Sequence, residues 1–273
     1  MELTTEWVQL GSGADIVPAY LARPSRAQGP LPAVIVIQEI WGVDPHIRDL
    51  TERFAAAGYV AVAPDLYAHG GQRAEGLSAE RIEALKAFME TVPPSAWQNP
   101  AEMEAAMARL PEGERAQVER TRQTLFGGAR NAVTHLPDLQ ATAAWLRSNA
   151  ACRGRKVVVT GYCMGGALSA LLACADSELG AAAIYYGSAP PADRLAGIAC
   201  PVFGFYGAED PRITGGVPAF AEAMAAAGKR FQYRIYPATG HAFFNDTRAS
   251  YQVESARDAW ATTLAFFAEA VRA

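Results

Sequence analysis

An apolar run, Lys156-Val157-Val158-Val159-Thr160, passes through Gly161-Tyr162-Cys163-Met164-Gly165 into a stretch of small residues from Gly166 to Ala175. This passage predicts a buried strand that turns sharply into a helix, with Cys163 at the turn. Glycine on either side lets the backbone reverse direction and leaves room around the side chain between them. A thiol placed there sits near a helix N-terminus, whose partial positive charge favours thiolate. The plainer alternative is a buried cysteine on a glycine-rich turn, so the residues that accompany Cys163 must decide.

The flanking pattern extends the same architecture. Leu31-Pro32-Ala33-Val34-Ile35-Val36-Ile37 is a continuous β-branched run of the kind buried on both faces of a parallel sheet. Residues 45 to 57 carry Ile47, Leu50, Phe54 and Ala57 at helical spacing, and Tyr59 to Ala63 reads as the next strand, ended by Pro64. Downstream, helices are predicted over 136–148, 168–175, 217–227 and 251–271. Strands are predicted over 157–160, 181–186, 201–206 and 231–236. Alternation of this kind gives an α/β class with a mostly parallel, doubly wound sheet and helices on both faces. We expect one domain over residues 1–273. The segment from about 71 to 128 has no strand pattern and is broken by Pro93-Pro94, Pro100 and Pro111. It reads as a two- or three-helix insertion, expected to act as a lid or substrate wall hinged near Gly127-Gly128.

Composition narrows the partners. The chain of 273 residues is 51% hydrophobic and 19% charged, ample for a sizeable core. Its formal net charge of -4 argues against nucleic acid or an anionic membrane as main partner. The N-terminus lacks a basic segment followed by an apolar run, and no uncharged stretch approaches the roughly 20 residues that span a bilayer. Cys152, Cys163, Cys174 and Cys200 form no C-x-x-C pair. They read as reduced thiols in a cytoplasmic protein. No metal-ligand spacing and no G-x-G-x-x-G after a strand is present, so no cofactor or metal is expected.

A nucleophile at such an elbow needs a base and an orienting carboxylate, in chain order nucleophile, acid, histidine. Tyr206-Gly207-Ala208-Glu209-Asp210-Pro211 and Tyr236-Pro237-Ala238-Thr239-Gly240-His241 each follow a predicted strand. Their polar residues therefore emerge at the strand ends where ligands bind in such sheets. Asp210 is preferred to Glu209 because the shorter carboxylate lies beside the turn-forming Pro211. His241 is preferred to His46, His69 and His135, which read as packing or surface residues. The loop after the first buried strand, Gln38-Glu39-Ile40-Trp41-Gly42, is placed to give one oxyanion-hole N–H from Ile40, with the other from Met164. Glu39 is unexpected there, since a carboxylate opposes a nearby thiolate. The bland alternative is a loop carboxylate paired with a nearby cation such as Arg48.

Gln38-Glu39-Ile40-Trp41-Gly42, Ala63-Pro64-Asp65-Leu66-Tyr67, Gly161-Tyr162-Cys163-Met164-Gly165-Gly166 and Gly240-His241-Ala242-Phe243 together closely resemble the dienelactone hydrolases (carboxymethylenebutenolidases), from about Pro18 to the C-terminus. The resemblance implies an α/β-hydrolase fold and a cysteine that attacks an enol-lactone carbonyl to form an acyl-thioester. It also implies that Glu39 holds the resting thiol and swings away when substrate binds. The family's arginines for a substrate carboxylate are not both matched. The position four residues after the histidine is Asn245, with Arg248 the nearest arginine, and Arg120 or Arg122 stands for the other. Trp41, Phe243 and Phe244 suggest an apolar acyl pocket instead. The expected partner is a small lactone or ester. A general carboxylesterase or thioesterase is the rival enzyme, and a ligand-binding or redox-sensing thiol is the rival of another class.

Overall fold

A computed structural model describes residues 2–97, 99–128 and 132–272. The chain divides into two compact units, one formed by Met1–Gly71 with Ala132–Ala273 and the other by Gln72–Asn131. The second unit contains most of the strandless segment singled out at about 71–128.

The first unit is built on strands β1 (Leu3–Leu10), β2 (Val17–Pro24), β3 (Ala33–Ile37), β4 (Val60–Pro64), β5 (Val157–Tyr162), β6 (Ala182–Tyr185), β7 (Val202–Gly207) and β8 (Phe231–Tyr236). They form one sheet in the order β1-β2-β4-β3-β5-β6-β7-β8. Pairings from β4 through β8 are parallel, whereas β1 on β2 and β2 on β4 are antiparallel. The chain continues into α1 (Pro45–Ala56) after β3. The second unit contributes α2 (Ala79–Thr91), α3 (Pro100–Met107) and α4 (Glu112–Gln123). The first unit then resumes with α5 (Leu136–Ser148), α6 (Met164–Ala175), α7 (Pro211–Thr214), α8 (Val217–Ala226) and α9 (Val253–Ala270). One sheet face packs on α5, α6 and α8 through Leu139, Leu168 and Phe220. The other packs on α1 and α9 through Ile47, Phe54, Ala259 and Phe267. This is the doubly wound α/β-hydrolase arrangement predicted from the sequence. No helix among the described residues is long and apolar enough to cross a membrane.

Two strands were not anticipated. β1 is an edge strand whose Thr4, Thr5, Glu6 and Gln9 dilute any apolar alternation, and β2 carries Pro18. Proline removes a ladder donor, so the pattern there reads against a strand. At β3, Leu31 and Pro32 fall outside the ladder because the Leu31 N–H is bonded to Ala151 O and Pro32 has no N–H. The last helix begins at Val253 rather than Tyr251, since the N–H groups of Tyr251 and Gln252 are used by Arg248 O and Phe243 O.

The elbow is set by close approach. Cys163 has φ 54° and ψ -113°, a conformation that L-residues rarely adopt and that costs about 1–3 kcal/mol. It persists because its neighbours leave no alternative. A Cβ at Gly165 would sit 2.4 Å from Ile37 O and 2.5 Å from Gln38 O, and one at Gly161 would sit 2.0 Å from Gly165 O. In the second unit, the chain after α4 ends in a π-turn, Thr124–Gly128, which contains the Gly127-Gly128 pair.

Gly165→Ala should therefore lower the urea unfolding midpoint, by a loss of about 1–3 kcal/mol typical of overpacking. An unchanged midpoint would mean that the approach to β3 is not tight.

Candidate active site

The residues singled out from the sequence converge because five neighbouring parallel strands end on one edge. Glu39 and Ile40 follow β3, Cys163 follows β5, Asp210 lies just past β7, and His241 lies five residues past β8. Strands stand about 4.8 Å apart, so β8 is three spacings from β5 and the His241 loop must reach back over β7 and β6. Gly207 permits this. A Cβ there would meet Thr239 O at 2.3 Å and Gly240 O at 2.6 Å. Bonds from Ala208 N to Tyr236 O and from Glu209 N to Thr239 O, each 2.9 Å, then clip the acid-bearing loop to the histidine-bearing one. Glu209 itself is exposed, whereas Asp210 is buried.

His241 Nδ1–H donates to Asp210 Oδ2 at 2.5 Å, and the Cys163 side chain lies close enough to act on the imidazole pKa. Burial alone would depress the imidazole pKa. The interactions with Asp210 and Cys163 outweigh it and raise it from 6.5 to about 10. The arrangement favours a proton on His241. The His241 ring also sits edge-on to Tyr186, with centroids 5.1 Å apart.

Glu39 pairs with neutral donors rather than with Arg48. Its Oε1 accepts from Tyr186 O–H at 3.2 Å and its Oε2 accepts from Asn245 Nδ2 at 2.8 Å. It is only 3% exposed, so two neutral donors stabilise a buried carboxylate. Asn245, itself 1% exposed, is fixed in turn, because its Oδ1 accepts from Thr247 N (3.1 Å) and Thr247 Oγ1 (2.6 Å). Arg48 lies on α1, three residues after Pro45. Burial, and then the nearby Glu39 carboxylate and Tyr162, holds the Tyr186 hydroxyl well above the usual phenol range.

Ile40 and Met164 follow β3 and the elbow, respectively, and Tyr67 links them. Its hydroxyl donates to Ile40 O at 2.9 Å and lies 3.8 Å from Met164 Sδ. Leu66 N donating to Gln38 Oε1 at 3.1 Å ties the Tyr67 loop to the loop after β3. Trp41 is buried, and the Arg248 guanidinium lies 4.9 Å from its ring centroid. Phe243 and Phe244 are core residues rather than pocket walls. Phe243 packs on Tyr186 and Tyr236, and Phe244 on Tyr162, Tyr185 and Trp260. Arg120 and Arg122 are on α4 in the second unit, where Arg122 makes a two-point ion pair with Glu119 at 2.7 and 2.9 Å. Sequence reading gave no role to Tyr186, Tyr67 or Thr247. Tyr186 had a signal, being the first residue past a buried strand that ends beside the elbow.

The model of the "Dienelactone hydrolase family" matches residues 17–271. A "Putative carboxymethylenebutenolidase" of Escherichia coli K12 is 32% identical over 272 residues, covering 96% of this chain and 85% of that relative. A protein of the same name from Saccharolobus solfataricus is 32% identical over 251 residues, covering 92% and 93%. The crystal structure of a "Putative Dienelactone Hydrolase" from Klebsiella pneumoniae superposes with a TM-score of 0.71 at 31% identity, covering 98% of this chain and 99% of that one.

Because the folded value for His241, about 10, exceeds its ordinary 6.5, its protonation stabilises the folded state. That contribution is complete below about pH 6.5 and disappears as pH rises towards 10. Asp210→Asn should lower the His241 pKa in an NMR titration. The difference in thermal midpoint between wild type and this variant should be largest at or below pH 6.5 and shrink as the pH approaches 10. A gap that widened with pH would refute this assignment of the proton.

Proposed function

The chain belongs to the dienelactone hydrolase family and is a hydrolase of the dienelactone hydrolase and esterase type; from that premise we propose that it cleaves a lactone or small activated ester through an acyl-thioester on Cys163. One observation carries this reading: His241 is held between Asp210 and Cys163, with its proton-bearing Nδ1 on the carboxylate. A sensor or binding thiol has no need of an oriented base.

In this reading the Cys163 proton resides on His241 Nε2 and the sulfur attacks the substrate carbonyl carbon. The S–C bond forms while the carbonyl π pair moves to oxygen. That oxyanion is received by the backbone N–H groups of Ile40 and Met164. Collapse breaks the C–O bond of the ester or lactone, and the leaving oxygen takes the proton from His241. Water then gives a proton to His241 and attacks the thioester, the C–S bond breaks, and the acid product departs. Asp210 keeps the imidazole in the tautomer that presents Nε2 throughout. A thiolate leaves readily from the tetrahedral intermediate, which suits esters and lactones better than amides. The second unit is proposed to act as a lid-like insertion of the same hydrolase.

Cys163→Ala and His241→Ala should each reduce kcat by about 10³-fold or more, and Asp210→Asn by about 10²–10⁴-fold. Quenched incubations with an enol-lactone and with p-nitrophenyl esters should show an acyl mass on the peptide containing Cys163. Turnover of unstrained esters alone would favour the carboxylesterase or thioesterase reading. Absence of an adduct from wild type and from His241→Ala would favour a binding or redox role, and undiminished activity in Cys163→Ser would refute the thiol mechanism.

A further inference from the structure

We propose that two copies of this chain pair along the free edge of β8, antiparallel about a two-fold axis at Tyr233, so that their sheets continue into one.

β8 is the last strand of the sheet, and among the described residues it pairs only with β7. Arg230 O accepts from Val202 N, and Tyr236 O accepts from Ala208 N, so the even-numbered residues turn their carbonyls inwards to β7. Alternate residues of an extended strand direct their backbone polar groups to opposite sides. Phe231, Tyr233 and Ile235 therefore hold their N–H and C=O groups outwards, a ready template for another strand. The strand carries no proline or glycine to blunt that edge. The side chains of the same residues share one face of the sheet. Tyr233 and Ile235 are each 39% exposed, apolar surface that the fold leaves uncovered.

This pattern is self-complementary. With the axis at Tyr233, antiparallel pairing sets Tyr233 opposite its own counterpart and Phe231 opposite Ile235 of the second copy. Each is a hydrogen-bonded pair, with apolar side chains on a common face. A slip of one residue would lose both properties, because Tyr233 would then meet Arg234 and outward groups would face inward ones. The rings are already ordered. Phe220 lies 4.4 Å from Phe231, and Phe231 stacks on Tyr233 at 5.6 Å, so little side-chain freedom remains to be lost on pairing. Charge on the opposite face distinguishes a second copy from an arbitrary extended peptide. The same register sets Arg230 opposite Tyr236 of the second copy, whose counterpart here donates its O–H to Asp258 Oδ2 at 2.7 Å. The Asp258 side chain is half-exposed, and Arg230 is exposed and makes no ion pair among the described residues. Symmetry thus brings the spare guanidinium of each copy to the carboxylate of the other. Arg234, already paired with Asp258, meets Gln232 rather than a like charge. One short strand buries less than a standard interface, so the dimer is of about micromolar affinity. A single chain keeps β8 as an open margin.

Sedimentation velocity of the full chain tests this. Wild type should pass from monomer to twice the monomer mass between about 1 and 200 µM, with no larger species. Tyr233→Lys sets like charges against each other on the axis and should raise the dissociation constant at least about tenfold, and Arg230→Glu at least about threefold. Under mild oxidation Tyr233→Cys should be captured as a disulfide-linked dimer, because hydrogen-bonded residues facing each other lie about 5.5 Å apart, within disulfide range. Ile235→Cys should not, since its symmetry mate lies roughly 13 Å away along the strand. A wild type that stays monomeric throughout would overturn the inference and leave the edge to a partner of another kind. A dimer untouched by both Tyr233→Lys and Arg230→Glu, or captured by Ile235→Cys in preference to Tyr233→Cys, would put the contact elsewhere and overturn it equally.

Discussion

The approach of Gly165 to the carbonyls of Ile37 and Gln38 is the contact on which the rest of the site depends. β3 and β5 are sheet neighbours, so packing the start of α6 against the end of β3 places the Glu39–Gly42 turn beside Cys163. The strained cysteine backbone is then a consequence of packing rather than a local choice. An equivalent approach at Gly207, under Thr239 and Gly240, brings the acid and histidine loops together at the other side of the site. Between these two fixed points lies a row of aromatic rings. Tyr162, Tyr185 and Phe205 face one another across β5, β6 and β7 at 4.7 Å between successive centroids, with Phe203 4.7 Å beyond. Cross-strand pairs of this kind hold strand positions laterally, so the polar residues just above them inherit that precision.

What could be read from the sequence follows from how local each cause is. The buried strands, the elbow around Cys163 and the helix over 136–148 announce themselves through β-branched runs, glycines and helical spacing within a dozen residues. The α/β class was legible for that reason. β1 and β2 were not, because an edge ladder tolerates the polar residues and Pro18 that pattern reading counts against a strand. The surroundings of Glu39 were also hidden. Its partners Tyr186 and Asn245 lie 147 and 206 residues away in the chain, and no spacing rule reaches that far. Phe243 and Phe244 follow His241 directly and so looked like pocket walls. The positive φ of Ala242, 59°, marks the bend after which both rings go into the core.

Tyr186 shows how a strand end can serve two purposes. Its backbone N–H is bonded to Phe205 O at 2.8 Å, which ties it to the neighbouring strand. Its φ of 39° then directs the ring away from the strand path, towards Glu39 and His241. A buried phenol that donates to a carboxylate and packs against an imidazole joins the two charged groups of the site that share no contact of their own among the bonds described. The family resemblance drew notice to Glu39 and to the histidine, and the fold supplies the group between them.

The histidine hangs from β8, the outermost strand, most of whose residues are exposed. The sulfur hangs from β5, deep within the sheet and buried along its length. Local opening therefore does not threaten the two equally. Fraying that begins at the sheet's β8 margin would carry off the imidazole while the elbow kept its shape, once the β7–β8 ladder, the bonds of Ala208 and Glu209 to Tyr236 and Thr239, and the His241–Asp210 bond had opened. Heat would then silence such a molecule before melting it. The inactivated form would be nearly native, would retain its sulfur, and would recover on cooling as soon as the margin closed again.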